Sequence, residues 1–348
     1  MRSAIYYPHT TIKSPDLLKR CLMLWDRVKV IVPWDTYHIN YDSRVEQEAF
    51  ELIGVRHYPT QTEREATHQM VRDFVKRPLP LAFSYRSVQD PNEIYEVYPQ
   101  KLLPKTWELL QGRGLAKDTK VMRRRSTYLA AEPTGLALMG LLADCCAGET
   151  FARITDRSAA YAGLAGLLTA SEESDVASAR EELLPVSIEI ANVEDLPLKT
   201  WLDLRRREES ASDGASIRQL RHNLLDKLED HAKKLAAHKD SAREELKRQF
   251  QQDMKDDYRE MKEALKLEGS QILTSKEVLL SVIGGIATLG LLAGHVAVPM
   301  PDVVTSAGAA ATIGGLIGSR SKFASTRRKI LKEHPMAYFY EAAGGIRW

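Results

Sequence analysis

Between Val278 and Ser319 the chain carries one charged side chain, Asp302, although the rest of the protein is dense in Lys, Arg, Asp and Glu. Solvated surface is not built this way, so the segment must be covered by protein or by lipid. Two readings follow. In the first, 278–319 is a soluble helical hairpin buried against its own chain, with Pro299–Asp302 as the turn. In the second it is a membrane-acting hairpin, because Val278–Val298 has the length of a bilayer span. Gly285, Gly290 and Gly294 in one arm, with Gly314 and Gly318 in the other, suit either reading. Small residues let two helix backbones approach closely. The basic cluster after the second arm (Arg320, Lys322, Arg327, Arg328, Lys329) puts the ends of an inserted hairpin on the cytoplasmic side. Weak hydropathy in the second arm, with Thr305, Ser306 and Thr312, and the absence of an aromatic belt favour the soluble form.

Composition narrows the function classes. The 348 residues suffice for two or three cores, and the formal charge of +2 gives no general bias toward nucleic acid. Three cysteines, two of them adjacent, do not make a disulfide framework. The opening MRSAIYYPHTTIK lacks an apolar signal core. A cytoplasmic protein is expected, with attachment to or insertion in the inner membrane as the alternative. No Walker loop, Rossmann glycine fingerprint, HExxH or GxSxG is present, so neither cofactor nor metal is expected.

The first third reads as alternating strands and helices. Ala4–Tyr7, Val28–Val32 and Val55–Tyr58 are β-prone. Ser14-Pro15-Asp16 starts a helix whose apolar face includes Leu17, Leu18, Cys21 and Leu22. A second helix covers Ser43–Ile53 with Gly54 as its cap, and Thr60 with Glu63 forms a capping box for a third reaching Lys76. This order predicts a small parallel or mixed sheet with crossover helices. Pro78–Pro104 reads as irregular, Lys105–Gln111 as a short helix, Ser126–Leu129 as a strand and Pro133–Ala147 as a buried helix. Val186–Ile190 alternates like a strand, and Leu196-Pro197 opens a helix with Trp201 and Leu204 on one face. From Ser216 to Glu268 a charged helical region carries an apolar stripe from Ile217 to Leu265, as one long helix or a pair. The expected fold is therefore an α/β N-terminal domain and a mainly helical C-terminal half. The boundaries are 1–130 for the α/β domain, 131–212 for a mixed region packing on it, 213–275 for the charged helices, and 276–348 for the hairpin and aromatic tail.

Ile5-Tyr-Tyr-Pro-His9, Leu17-Leu-Lys19, Leu24-Trp-Asp26 and Val30-Ile-Val-Pro33 together resemble the start of a bacterial domain family of unknown function. Leu204-Arg-Arg-Arg207 after Leu196-Pro197, and the tail His334-Pro-Met-Ala-Tyr338, are similar to it as well. The resemblance implies no catalytic residues. It implies a bacterial source and a setting near mobile or anti-phage genes.

Candidate chemistry gathers at the strand ends, where open parallel sheets bind ligands. His9, Asp35 and His38 follow the first two strands, beside Thr10 and Trp34, with Tyr58 and Thr60 after the third. Imidazoles with a carboxylate suit general-base work, while prolines as chain stops explain the same pattern without function. Cys145-Cys146 reads as inert core. Arg123–Arg125 and Arg205–Arg207 read as solvated faces or internal ion pairs. The first expectation is a non-enzymatic protein acting through protein–protein contacts, a sensor or effector in defence. Its partner, or a second copy, would meet the 217–265 helices, and no nucleic acid is expected. The alternatives are a membrane effector using 278–319 and an enzyme with its site near His9 and Asp35.

Overall fold

The computed structural model describes residues 2–119, 127–148, 151–157, 193–209, 214–238, 241–273 and 325–344, with isolated positions between 160 and 191. The chain divides into two units, Met1–Glu181 with Leu196–Arg205 and Glu182–Asp195 with Arg206–Trp348. It is an α/β protein at its N-terminus and mainly helical in its C-terminal half, as the sequence pattern predicts.

In the first unit β1 (Ser3–Tyr6) is followed by α1 (Pro15–Leu24), where Ser14 Oγ accepts from the Leu17 N–H at 3.2 Å. Pro15 at the helix start costs no hydrogen bond, since that N–H has no partner in a helix. Then come β2 (Arg27–Ile31), α2 (Arg44–Ile53), β3 (Gly54–His57) and α3 (Gln61–Lys76). Gly54 caps α2 in an extended conformation, with φ at −81°. It is a glycine because a Cβ would lie 2.4 Å from the Phe50 ring. The predicted capping box forms in full: Thr60 Oγ1 accepts from Glu63 N, and Glu63 Oε2 accepts from Thr60 N at 2.6 Å.

The stretch before Pro104 is more ordered than its prolines suggest. It contains 3₁₀ turns and β4 (Ile94–Val97). After α4 (Pro104–Gly112), strands β5 (Ala116–Thr119) and β6 (Thr127–Ala131) complete an antiparallel sheet of order β4-β6-β5. α5 (Glu132–Ala147) and β7 (Ala152–Ile154) close the unit.

The main sheet is parallel, with order β3-β2-β1-β7. The chain moves outward from β1 to β3, then returns to lie on the other side of β1. The gap between the carboxyl ends of β1 and β7 is therefore the switch point of the topology, where open α/β sheets leave a crevice. α3 and α5 pack together over Ile5 and Ile31, and the same core takes in Val97, Trp107 and Leu110. α5 is apolar on every side and buried almost throughout, from Thr134 to Ala143. Each large side chain covered in this way contributes about 1.5–3 kcal/mol. α6 (Leu198–Arg207) buries Trp201 and Leu204 as expected.

In the second unit the apolar stripe belongs to two helices, α7 (Gly214–Ala236) and α8 (Ser241–Leu273). They run antiparallel: His231 packs on Phe250 with ring centroids 5.0 Å apart, and Lys227 pairs with Asp253 at 3.8 Å. Ile217, Leu224, Leu228, Phe250, Met254, Met261 and Leu265 are all buried. A helical stretch over 325–333 and α9 (Ala337–Ala342) follow, with Tyr338 and Phe339 buried. The Arg205–Arg207 run is used internally. Arg205 donates to the Trp25 carbonyl within the first unit, and Arg207 pairs with Glu341 within the second.

One element is corrected. The described positions from 183 to 191 are helical, not a strand. The buried residues are Leu183, Ser187 and Ala191, one every four positions, and Ser187 Oγ donates to the Leu183 carbonyl at 3.3 Å. Of the expected alternation, Val186 and Ile190 are only half-buried. The hairpin 278–319, with Gly285, Gly290, Gly294, Gly314 and Gly318, lies outside the described residues, as does Arg123–Arg125. Among the described residues no helix is long and apolar enough to cross a membrane.

Candidate functional site

The switch point collects polar groups because β1 and β7 end side by side. Tyr6 pairs in register with Ile154, and Tyr7 N donates to the Ile154 carbonyl at 3.2 Å. Two residues on, Asp156 Oδ2 accepts from Tyr6 Oη at 2.9 Å. Burial, and then the Asp156 charge, push the Tyr6 phenol far up, so it remains a donor. The other carboxylate oxygen, Asp156 Oδ1, is buried with no hydrogen-bond partner among the described residues.

His9 lies close enough to this pair to feel the Asp156 charge. Its ring stacks on Tyr95 at 5.8 Å and 28°, and Tyr95 Oη donates to the Pro8 carbonyl at 2.9 Å. Burial holds the His9 pKa down to about 4, with Lys13, Arg157 and Lys101 acting in the same direction and Asp156 opposing. The imidazole is thus neutral at physiological pH, in a field set by three cations and one carboxylate. Arg157 is itself ion-paired with Glu132.

Lys101 is the unusual group. Its side chain is carried inward by the turn before α4, and the residue is 3 % exposed. Nζ meets the Met139 sulfur at 4.0 Å and pairs with no carboxylate among the described residues. Burial lowers its pKa to about 8.

A second cluster sits where β3, α3 and α5 meet. His57 pairs in register with Ile31, which faces α3 and α5, and residues paired in register share a face. His57 Nε2 lies 3.1 Å from both Glu63 oxygens. Donor atoms of His57, Glu63 and Cys146 fall within 4.8 Å of one another. Burial pushes the Cys146 thiol far up, and Glu63 adds to this, while Lys29 and Lys101 pull the other way. Cys145 is turned to Met70, with its sulfur 3.4 Å from the thioether.

Of the residues expected from sequence, His9 stacks on Tyr95 and Thr10 Oγ1 lies 3.3 Å from Tyr37 Oη. Trp34 forms an edge-to-face triad with Tyr37 and Tyr98, centroids 5.2–6.0 Å apart. Asp35 and His38 are exposed and make no hydrogen bond or ion pair among the described residues. Tyr58 Oη accepts from Arg64, and Thr60 serves the cap of α3. Asp156, Lys101, His57 and Cys146 went unnoticed as a group. Their signal is spatial: each is unremarkable in sequence, and β7 had no pattern long enough to announce that Asp156 follows a strand beside β1.

No family model, no curated protein and no solved structure matches the chain. The functional reading therefore rests on geometry alone.

Proposed function

We propose that the α/β unit binds a small anionic ligand at the carboxyl ends of β1 and β7, and that the chain acts on this through protein–protein contacts. The observation that supports it is the buried ammonium of Lys101, which pairs with no carboxylate among the described residues. An uncompensated buried charge is destabilising by several kcal/mol, so a site that keeps one suits an incoming opposite charge. Lys13 and Arg157 add to the positive field around His9. A phosphate or carboxylate fits that field, and the Trp34, Tyr37 and Tyr98 rings offer a face for an attached aromatic group. The loop after β1, Tyr7–Ser14, has no glycine, so backbone amides do not cradle a pyrophosphate there. Side chains must hold the anion. The apolar stripe of α7 and α8 is buried within its own chain. A partner of these helices would meet charged outer faces, in a contact weakened by salt.

Thermal unfolding of the full chain with inorganic phosphate, pyrophosphate, ATP and citrate tests this reading. At least one anion should raise the melting temperature by a few degrees, as ligand linkage requires. Lys101→Met should melt higher than wild type without ligand and should not respond. A wild type indifferent to all four anions, or an unaltered response in Lys101→Met, would overturn it.

A further inference from the structure

We infer that His57, Glu63 and Cys146 form a binding site for a zinc-class divalent cation. The three side chains come from the end of β3, the first turn of α3 and the body of α5, and their donor atoms already lie within 4.8 Å of one another. Tetrahedral coordination at bond lengths of about 2.0–2.3 Å places donors about 3.3–3.8 Å apart. His57 Nε2 and Glu63 Oε1, at 3.1 Å, are nearly there, and the sulfur needs to close by about 1 Å. Small rotations of χ angles suffice.

The surroundings fit a ligand set. Glu63 Oε2 accepts from the Thr60 N–H at 2.6 Å, which fixes the orientation of the carboxylate beside His57 Nε2. Outer-shell hydrogen bonds of this kind orient metal ligands. Cys146 is buried, so its sulfur faces protein and not solvent. One thiolate, one carboxylate and one neutral imidazole balance a dipositive ion, so the filled site adds no net charge to the interior. An imidazole–thiolate–carboxylate set favours zinc or cobalt over calcium or magnesium, which prefer oxygen donors alone. Three protein donors leave a fourth position for water or an anion. None of its donors is Lys101 or His9, so this site and the anion proposal above are tested by different variants.

The test uses metal-stripped full chain titrated with cobalt(II), then zinc(II). Wild type should give a thiolate-to-cobalt charge-transfer band in the near ultraviolet that saturates at one equivalent and is displaced by zinc. The band should be lost in Cys146→Ser and in His57→Gln and retained in Cys145→Ser. Competition with a chromophoric zinc chelator on wild type alone should give one tight zinc equivalent, a result that needs no variant to fold. Absence of a saturable equivalent, or a band that persists in Cys146→Ser, would overturn the site.

Discussion

Lys101 shows how one residue can set a pH dependence. Its pKa is about 8 in the folded protein, because burial penalises the charged amine. In the unfolded chain it returns to about 10.4. Between those values the unfolded state binds a proton that the folded state does not, so stability rises with pH across that window. Below it the burial costs about 3 kcal/mol. Urea denaturation of wild type and Lys101→Met should therefore show the variant more stable at pH 7, with the gap closing toward pH 10. Lysines and tyrosines common to both cancel in the difference. A gap that stays constant with pH would mean that the amine is solvated. His9 contributes in the same sense at the acid end. Its pKa of about 4 lies below the ordinary value of about 6.5. The unfolded chain takes up that proton first, so its stabilising contribution is lost as pH falls from about 6.5 toward 4.

At the scale of elements, α5 carries a constraint that helix propensity would misjudge. Ala is normally better than Gly inside a helix by about 1 kcal/mol. At Gly135, however, an added Cβ would lie 2.4 Å from Tyr95 Cγ and 2.6 Å from Tyr95 Cβ. These atoms sit close to the backbone of β4 and cannot swing away. Gly135→Ala should destabilise by about 1–3 kcal/mol, the range for overpacking. It should also disturb His9, whose ring stacks on Tyr95. Gly112, at the end of α4, has nothing within 4 Å of such a Cβ, so Gly112→Ala should be neutral or stabilising by up to about 1 kcal/mol. Urea midpoints of the two variants check the pair, and equal shifts would remove the close contact as the cause. Elements of this kind were readable where a local rule acts. The Ser14 and Thr60 caps and the β-prone runs at Ala4–Tyr7 and Val28–Val32 announced α1, α3 and the sheet. β4 was hidden because Pro91 and Pro99 flank a four-residue strand whose partner, β6, lies more than thirty residues on. The helix through Ser187 was hidden because its buried positions include a serine, while the apolar Val186 and Ile190 are only half-buried. At the candidate site only His9 and Trp34 were legible. Lys101 and Cys146 gain their character from burial, which depends on α5 and the turn before α4 coming together.

At the scale of the whole molecule, the charge-free segment 278–319 still separates two kinds of protein. In the second unit the apolar faces of α7 and α8 are occupied by each other and by their own unit, with Phe250, Met254 and Met261 buried. No described helix qualifies as a span. The sequence of 278–319 demands cover of its own, from protein or from lipid. Gly290 lies four residues before Gly294, the spacing at which helix backbones approach closely. A long charged side chain at Gly290 penalises both kinds of cover, but at different moments. Inside protein it overpacks the contact and buries a charge while the chain folds. In a bilayer it acts only on insertion, at about 2.5–3.5 kcal/mol for mid-depth arginine. We expect wild type in the cytosolic fraction and Gly290→Arg depleted from it by aggregation or poor expression. Wild type recovered with membranes, and Gly290→Arg recovered folded in the cytosol, would instead make the segment a membrane element.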